Sequence, residues 1–160
     1  MTTTDRPSFV YVTYIRATPQ AVWQALTDPD FTERYWSGVR AISDWKVGSP
    51  IGLWSGDRQS DTGEILESDP PRRLSYTWKV HHSGFENEAA SRATFEITEL
   101  AGGQVKLVLT HDDFESDSKV LAAVSIGWPA VLASLKSLLE TGDALHLVLS
   151  PKEDPRGKEA

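Results

Sequence analysis

Cysteine is absent from the 160-residue chain, which excludes disulfides, thiolate nucleophiles and cysteine-ligated metal. Long apolar runs are absent too: none approaches the roughly 18 residues that a membrane-spanning helix needs. The opening MTTTDRPS has no charged segment leading into an apolar one, so no secretory leader is expected, and a cytoplasmic location fits both observations. Basic clusters are missing as well. Sixteen Lys and Arg face 23 Asp and Glu, for a net charge of −7. The longest basic run is the pair Arg72-Arg73 beside two prolines, which we read as turn charge rather than an anion site. A nucleic-acid partner is therefore not expected. Finally, there is no HExxH, no nucleophile elbow, no phosphate loop and no dinucleotide fingerprint, so neither a metal nor a cofactor is expected.

What remains is an ordinary globular balance, 39% hydrophobic and 24% charged, without repeat or linker. The expectation is one domain over 1–150 and a disordered polar tail over 151–160. FVYVTYIR (9–16) reads as a strand, with Phe9, Tyr11, Thr13 and Ile15 on one face. Thr18-Pro19 and Asp28-Pro29 each pair a capping side chain with proline at the first helical position, predicting two short helices ending near Thr27 and Trp36. Glycines and prolines then punctuate six short β-type runs, near 39–46, 51–55, 62–68, 73–81, 91–99 and 104–111. In the last two, Ala93, Phe95 and Ile97, then Val105, Leu107 and Leu109, alternate with polar residues. That alternation is typical of an antiparallel sheet covered on one side. A broad apolar stripe from Leu121 to Leu139 predicts one long helix over 120–141, closed by Gly142. Pro129 inside it predicts a kink or break between Ser125 and Trp128.

Strand, two short helices, six strands and a long helix make an α+β order. Only the last helix is large enough to cover a seven-stranded sheet, which gives a helix-grip: a curved antiparallel sheet wrapped around the C-terminal helix. Four segments carry a specific likeness: VWQALTDPDFTERYW (22–36), TGEILESDPPRRLSYTW (62–78), SRATFEITEL (91–100) and GWPAVLASLKSLLETG (127–142). Together they resemble, in the right order, the activator-of-heat-shock-protein-90-ATPase homologue-like family of the START-like (SRPBCC) superfamily. The resemblance implies a cavity between sheet and long helix, of the kind that holds lipids, sterols or polyketides. It also implies a link to stress response. Much of the eponymous protein's chaperone contact lies in a separate domain, so chaperone activation is not the expected role of this chain. A homodimer is compatible with the sequence, which fixes no interface.

Six tryptophans in a chain of this size need a reason. Tyr76 and Trp78 share a strand face with Leu74 and Val80, Trp54 closes another strand, Trp36 ends the second short helix, and Trp128 lies on the long helix. In a helix-grip these are expected to converge between sheet and helix, where aromatic side chains line ligand pockets. The competing reading is that they fill the core. Trp23 and Trp45 read as packing of the first helix and of the sheet. His111 extends the inward face of Val105, Leu107 and Leu109. It is expected either to orient a ligand or to be a hydrogen-bonded strand-end histidine. His81 and His82 are adjacent in a strand and point to opposite sides, so they do not chelate one ion. The candidate ligand-binding set is Trp36, Trp54, Tyr76, Trp78, His111 and Trp128, with a small hydrophobic molecule as the expected partner. The alternatives are a cyclase- or hydrolase-type enzyme using His111 and Tyr76 as acid/base and orienting groups, and a chaperone-interacting protein.

Overall fold

A computed structural model describes residues 6–147; the tail expected over 151–160 lies outside them. The elements run β1 (Phe9–Ile15), α1 (Pro19–Thr27), α2 (Pro29–Tyr35), β2 (Val39–Ser43), β3 (Pro50–Ser55), β4 (Arg58–Asp69), β5 (Arg73–Val80), β6 (Ser91–Leu100), β7 (Gln104–Asp112) and α3 (Lys119–Thr141). The seven strands form one antiparallel sheet in the order β1-β7-β6-β5-β4-β3-β2. This is the helix-grip arrangement, with α3 across the concave face.

Local chemistry sets the boundaries. Thr18 Oγ1 accepts from the Ala21 N–H at 3.1 Å, and Asp28 Oδ1 from the Asp30 N–H at 2.9 Å, each satisfying an otherwise orphaned helix donor. Thr32 then ties α2 to the sheet, because its buried Oγ1 accepts from the Ala41 N–H at 3.0 Å. At the far end Gly142 takes φ 87° and caps α3 through its N–H to the Leu138 carbonyl, a left-handed geometry glycine adopts at little cost.

Two expectations need correction. Strand β2 stops at Ser43, and Trp45 sits beyond it in the connection to β3 at φ 58°, where its N–H donates to Ser43 Oγ at 3.0 Å. A left-handed backbone at Trp45 cannot continue a strand. Second, α3 does not break at Pro129: the helix is continuous over 23 residues. One missing hydrogen bond costs less than unseating the apolar residues on either side of it, Trp128 and Leu132, which are 3% and 1% exposed.

By length and composition α3 is apolar enough to cross a membrane, but its apolar stripe faces the sheet. The two halves of the helix do so differently. The C-terminal half buries Leu132, Leu135 and Leu138 and is tethered to β1. Lys136 Nζ donates to the Tyr14 carbonyl, and Glu140 Oε2 accepts from the Arg16 N–H at 2.8 Å. The N-terminal half buries only Val120 and Trp128 among its residues 119–128. The sheet curves away there, and a space is left.

Candidate functional site

That space is a cavity of about 390 Å³. One wall is a helical stripe, Val120, Ala123, Val124, Gly127, Trp128 and Val131, whose spacing of three and four residues places all six on one side of α3. The opposite wall comes from the sheet: Leu53 and Ser55 of β3, Arg58, Ser60 and Asp61 of β4, and Trp78 and Val80 of β5, with Trp36, Val39, His82 and Phe85 closing the ends. Ser55, Arg58 and Ala123 are exposed and mark the mouth. The wall is mainly apolar, and its polar side chains gather around the β3–β4 end.

Three indoles form the floor. Trp36 and Trp128 have ring centroids 5.3 Å apart, Trp36 and Trp78 5.7 Å, and Trp78 meets Trp128 edge-on at 5.3 Å. Edge-to-face and tilted packing at these distances is favourable for aromatic quadrupoles. Two of the three indole N–H groups have partners outside this cluster. Trp78 Nε1 donates to Asp61 Oδ2 at 2.7 Å, and Trp128 Nε1 donates to His111 Nδ1 at 3.0 Å.

That second bond assigns the histidine. Nδ1 accepts, so it carries no proton; Nε2 holds the hydrogen and donates to Ser91 Oγ at 2.7 Å, which in turn donates to the Trp78 carbonyl at 3.4 Å. His111 is fully buried and stacks on Phe114 at 4.7 Å. Burial pushes its pKa down to about 4, against a smaller upward pull from Asp112. It is a neutral crosslink behind the floor, joining β7, β6 and α3.

Comparison with known proteins places this arrangement. Residues 16–140 match the family described as Activator of Hsp90 ATPase homolog 1-like protein. The chain belongs to that family. No curated protein matches it in sequence. Among solved structures, an HSP90 activator of Plasmodium falciparum is 28% identical, with a TM-score of 0.69 over 82% of this chain and 95% of that one. The protein MLL2253 of Mesorhizobium loti is 27% identical, with a TM-score of 0.71 over 83% and 96%. CalU16 of Micromonospora echinospora is 26% identical, with a TM-score of 0.69 over 87% and 77%. The Activator of Hsp90 ATPase homolog 1-like fold, a START-like helix-grip, is thus shared along nearly the whole described chain.

Within this family fold the six residues singled out from sequence separate into three groups. Trp36, Trp78 and Trp128 line the cavity together. Tyr76 and His111 face the same side of the sheet but lie behind the wall: Tyr76 packs on Phe95 at 6.0 Å, and burial pushes its phenol pKa up. Since neither side chain reaches the cavity, the arrangement needed for acid/base work by His111 and Tyr76 is not present. Trp54 does not converge with the others. Leu53 and Ser55 point inward, so the pleat turns Trp54 to the outer face. There its ring lies across Gly52, where a Cβ would come within 2.8 Å of the indole nitrogen. Among the wall residues that escaped the sequence reading are Arg58, Asp61, His82 and Phe85.

The crosslink has a measurable weight. In Trp128→Phe an aromatic ring remains but the pyrrole half of the indole and its N–H do not, leaving His111 Nδ1 buried without a donor. We expect a loss of about 2 kcal/mol in urea unfolding, and a loss under about 0.5 kcal/mol would show the bond to be dispensable.

Proposed function

We propose that the protein binds a small hydrophobic molecule, without reacting with it, in the cavity between β3–β5 and the N-terminal half of α3. The observation that carries this reading is the split behaviour of α3. Its C-terminal half is locked onto β1, while its N-terminal half stands away from the sheet over about 390 Å³ of mainly aromatic and aliphatic wall. Small-molecule sites are typically concave, largely apolar and a few hundred cubic ångströms in volume. A space of that size between packed elements sacrifices contacts that a solid core would make, and a ligand restores them.

Trp36, Trp78 and Trp128 report on occupancy directly, so a panel of hydrophobic compounds screened by tryptophan fluorescence and thermal shift tests the reading. A binder raises the melting temperature by mass action. Gly127→Leu supplies the control. A Cβ at Gly127 meets nothing within 4 Å, so leucine projects into the open space while improving helix propensity. We expect compounds that shift the wild type to leave Gly127→Leu unmoved, with its fold intact by circular dichroism. Equal shifts in both proteins would put the binding elsewhere and end the proposal. The Plasmodium protein's activity concerns a chaperone, and the cavity offers no argument toward it.

A further inference from the structure

Asp61 is a carboxylate 7% exposed in the wall of an apolar cavity. A carboxylate has roughly four acceptor positions, and burial makes unfilled ones costly. Among the described residues only one donor is aligned on it, Trp78 Nε1 on Oδ2. The His82 imidazole stands with Nε2 3.4 Å from Oδ1 and without hydrogen-bond alignment, and its Nδ1 is engaged with Ser83 Oγ at 2.7 Å. The indole bond also fixes the carboxylate in place, since Trp78 is itself held by Trp36 and Trp128. The group is therefore oriented, buried, facing open volume and short of donors.

We propose that the cavity selects an aromatic molecule bearing a hydroxyl head, which donates its hydrogen bond to Asp61 while the ring lies against the indoles. This rests on the binding function proposed above and adds the ligand's chemical class. An anionic head is disfavoured, because a second negative charge beside Asp61 is repelled strongly where water is excluded. Arg58 is the one permanent cation in the wall. It is exposed at the mouth, too well solvated to offset that repulsion inside. A plain hydrocarbon fits the walls but leaves Asp61 short of a partner.

Three probes of one ring system separate these cases: 2-naphthol, 2-methylnaphthalene and 2-naphthoate, titrated by tryptophan fluorescence against wild type and Asp61→Asn. Asparagine keeps an oxygen for the Trp78 N–H and removes the charged acceptor. In the wild type we expect naphthol to bind at least about tenfold more tightly than methylnaphthalene, as a charge-assisted hydrogen bond implies, and naphthoate to bind least. In Asp61→Asn the naphthol advantage should fall by about tenfold while methylnaphthalene binding stays the same, which also shows that the cavity is intact. If the variant does not fold, the wild-type order alone decides. Naphthol and methylnaphthalene binding alike would overturn the role of Asp61 and leave the hydrophobic cavity standing. Naphthoate binding best would overturn it in favour of Arg58. No binding by any of the three would overturn the aromatic ligand class, while the compound panel and Gly127→Leu decide the cavity's binding role separately.

Discussion

Gly63→Ala is expected to cost about 3 kcal/mol or more and to lower the melting temperature by about 10 °C. Gly63 lies in β4 with an ordinary backbone, so the cost does not come from φ. It comes from distance. A Cβ built at Gly63 would sit 1.8 Å from the Thr77 carbonyl oxygen and 2.8 Å from its carbon, inside any van der Waals contact. Neither atom belongs to a side chain that can swing aside. Relief requires β4 and β5 to separate in the middle of the sheet, where Thr62 pairs with Lys79 and Ile65 with Tyr76. Gly127→Ala is the matched control: nothing lies within 4 Å of the new methyl group, and a helical glycine replaced by alanine gains about 1 kcal/mol. Chemical denaturation of the two variants should move in opposite directions. A Gly63→Ala protein as stable as wild type would show that the strand contact has slack.

Acidification should remove on the order of 3 kcal/mol of stability between pH 6.5 and pH 4, with His111 as the source. The folded pKa is depressed to about 4 from an ordinary 6.5, so the unfolded chain takes up the proton first. Stability is whole above pH 6.5, declines as pH falls through that window, and loses nothing further from this group once both states are protonated. The structural reason is specific. Protonation turns Nδ1 into a donor facing the Trp128 N–H, two donors in place of a pair, in a site with almost no water. The exposed Glu140, held low chiefly by its hydrogen bond to Lys136, responds only further into acid. Urea midpoints measured at half-unit steps from pH 7.5 to 4 check this, alongside His111→Gln, whose amide oxygen can accept from Trp128 without titrating. We expect the variant to be flatter across the window. Parallel curves would relocate the acid sensitivity to other groups.

Much of this fold was legible because its elements announce themselves through period and punctuation. The capped prolines at Pro19 and Pro29, the alternation in β6 and β7 and the stripe in α3 all depend on neighbours in sequence. The failures involve longer distances. Trp45 was read as part of a strand because aromatic content outweighed its turn. Of the kink or break expected at Pro129, the break does not occur, because local hydrogen bonding alone does not include the packing on either side of it.

The cavity was harder to read. Trp36, Trp78 and Trp128 do meet. Trp54 was grouped with them by residue type, although simple alternation from Leu53 already sends it to the other face. Asp61 had a signal that alternation could have supplied: it stands four residues before the buried Ile65, on the same side of β4, so an acidic side chain lies on an inward face. The strand expected over 62–68 begins one residue after it, whereas β4 runs from Arg58. His82 and Phe85 belong to the β5–β6 connection, where no periodicity exists, and their place in the wall depends on how that connection folds back over α3.

One side chain in that connection has a reach beyond its own loop. Glu88 accepts from the Lys119 N–H at 2.8 Å and the Val120 N–H at 3.2 Å, and takes the Ser118 hydroxyl hydrogen as well, so a residue from the β5–β6 connection finishes the first turn of α3. Lys79 in turn clasps the carbonyls of Glu86 and Glu88. The segment carrying His82 and Phe85 and the turn carrying Val120 are thereby fastened together, and the Ala89 N–H donating to Glu115 Oε1 at 2.8 Å is a second tie beside the first. One end of the cavity wall is thus held in place by side chains that do not themselves line it.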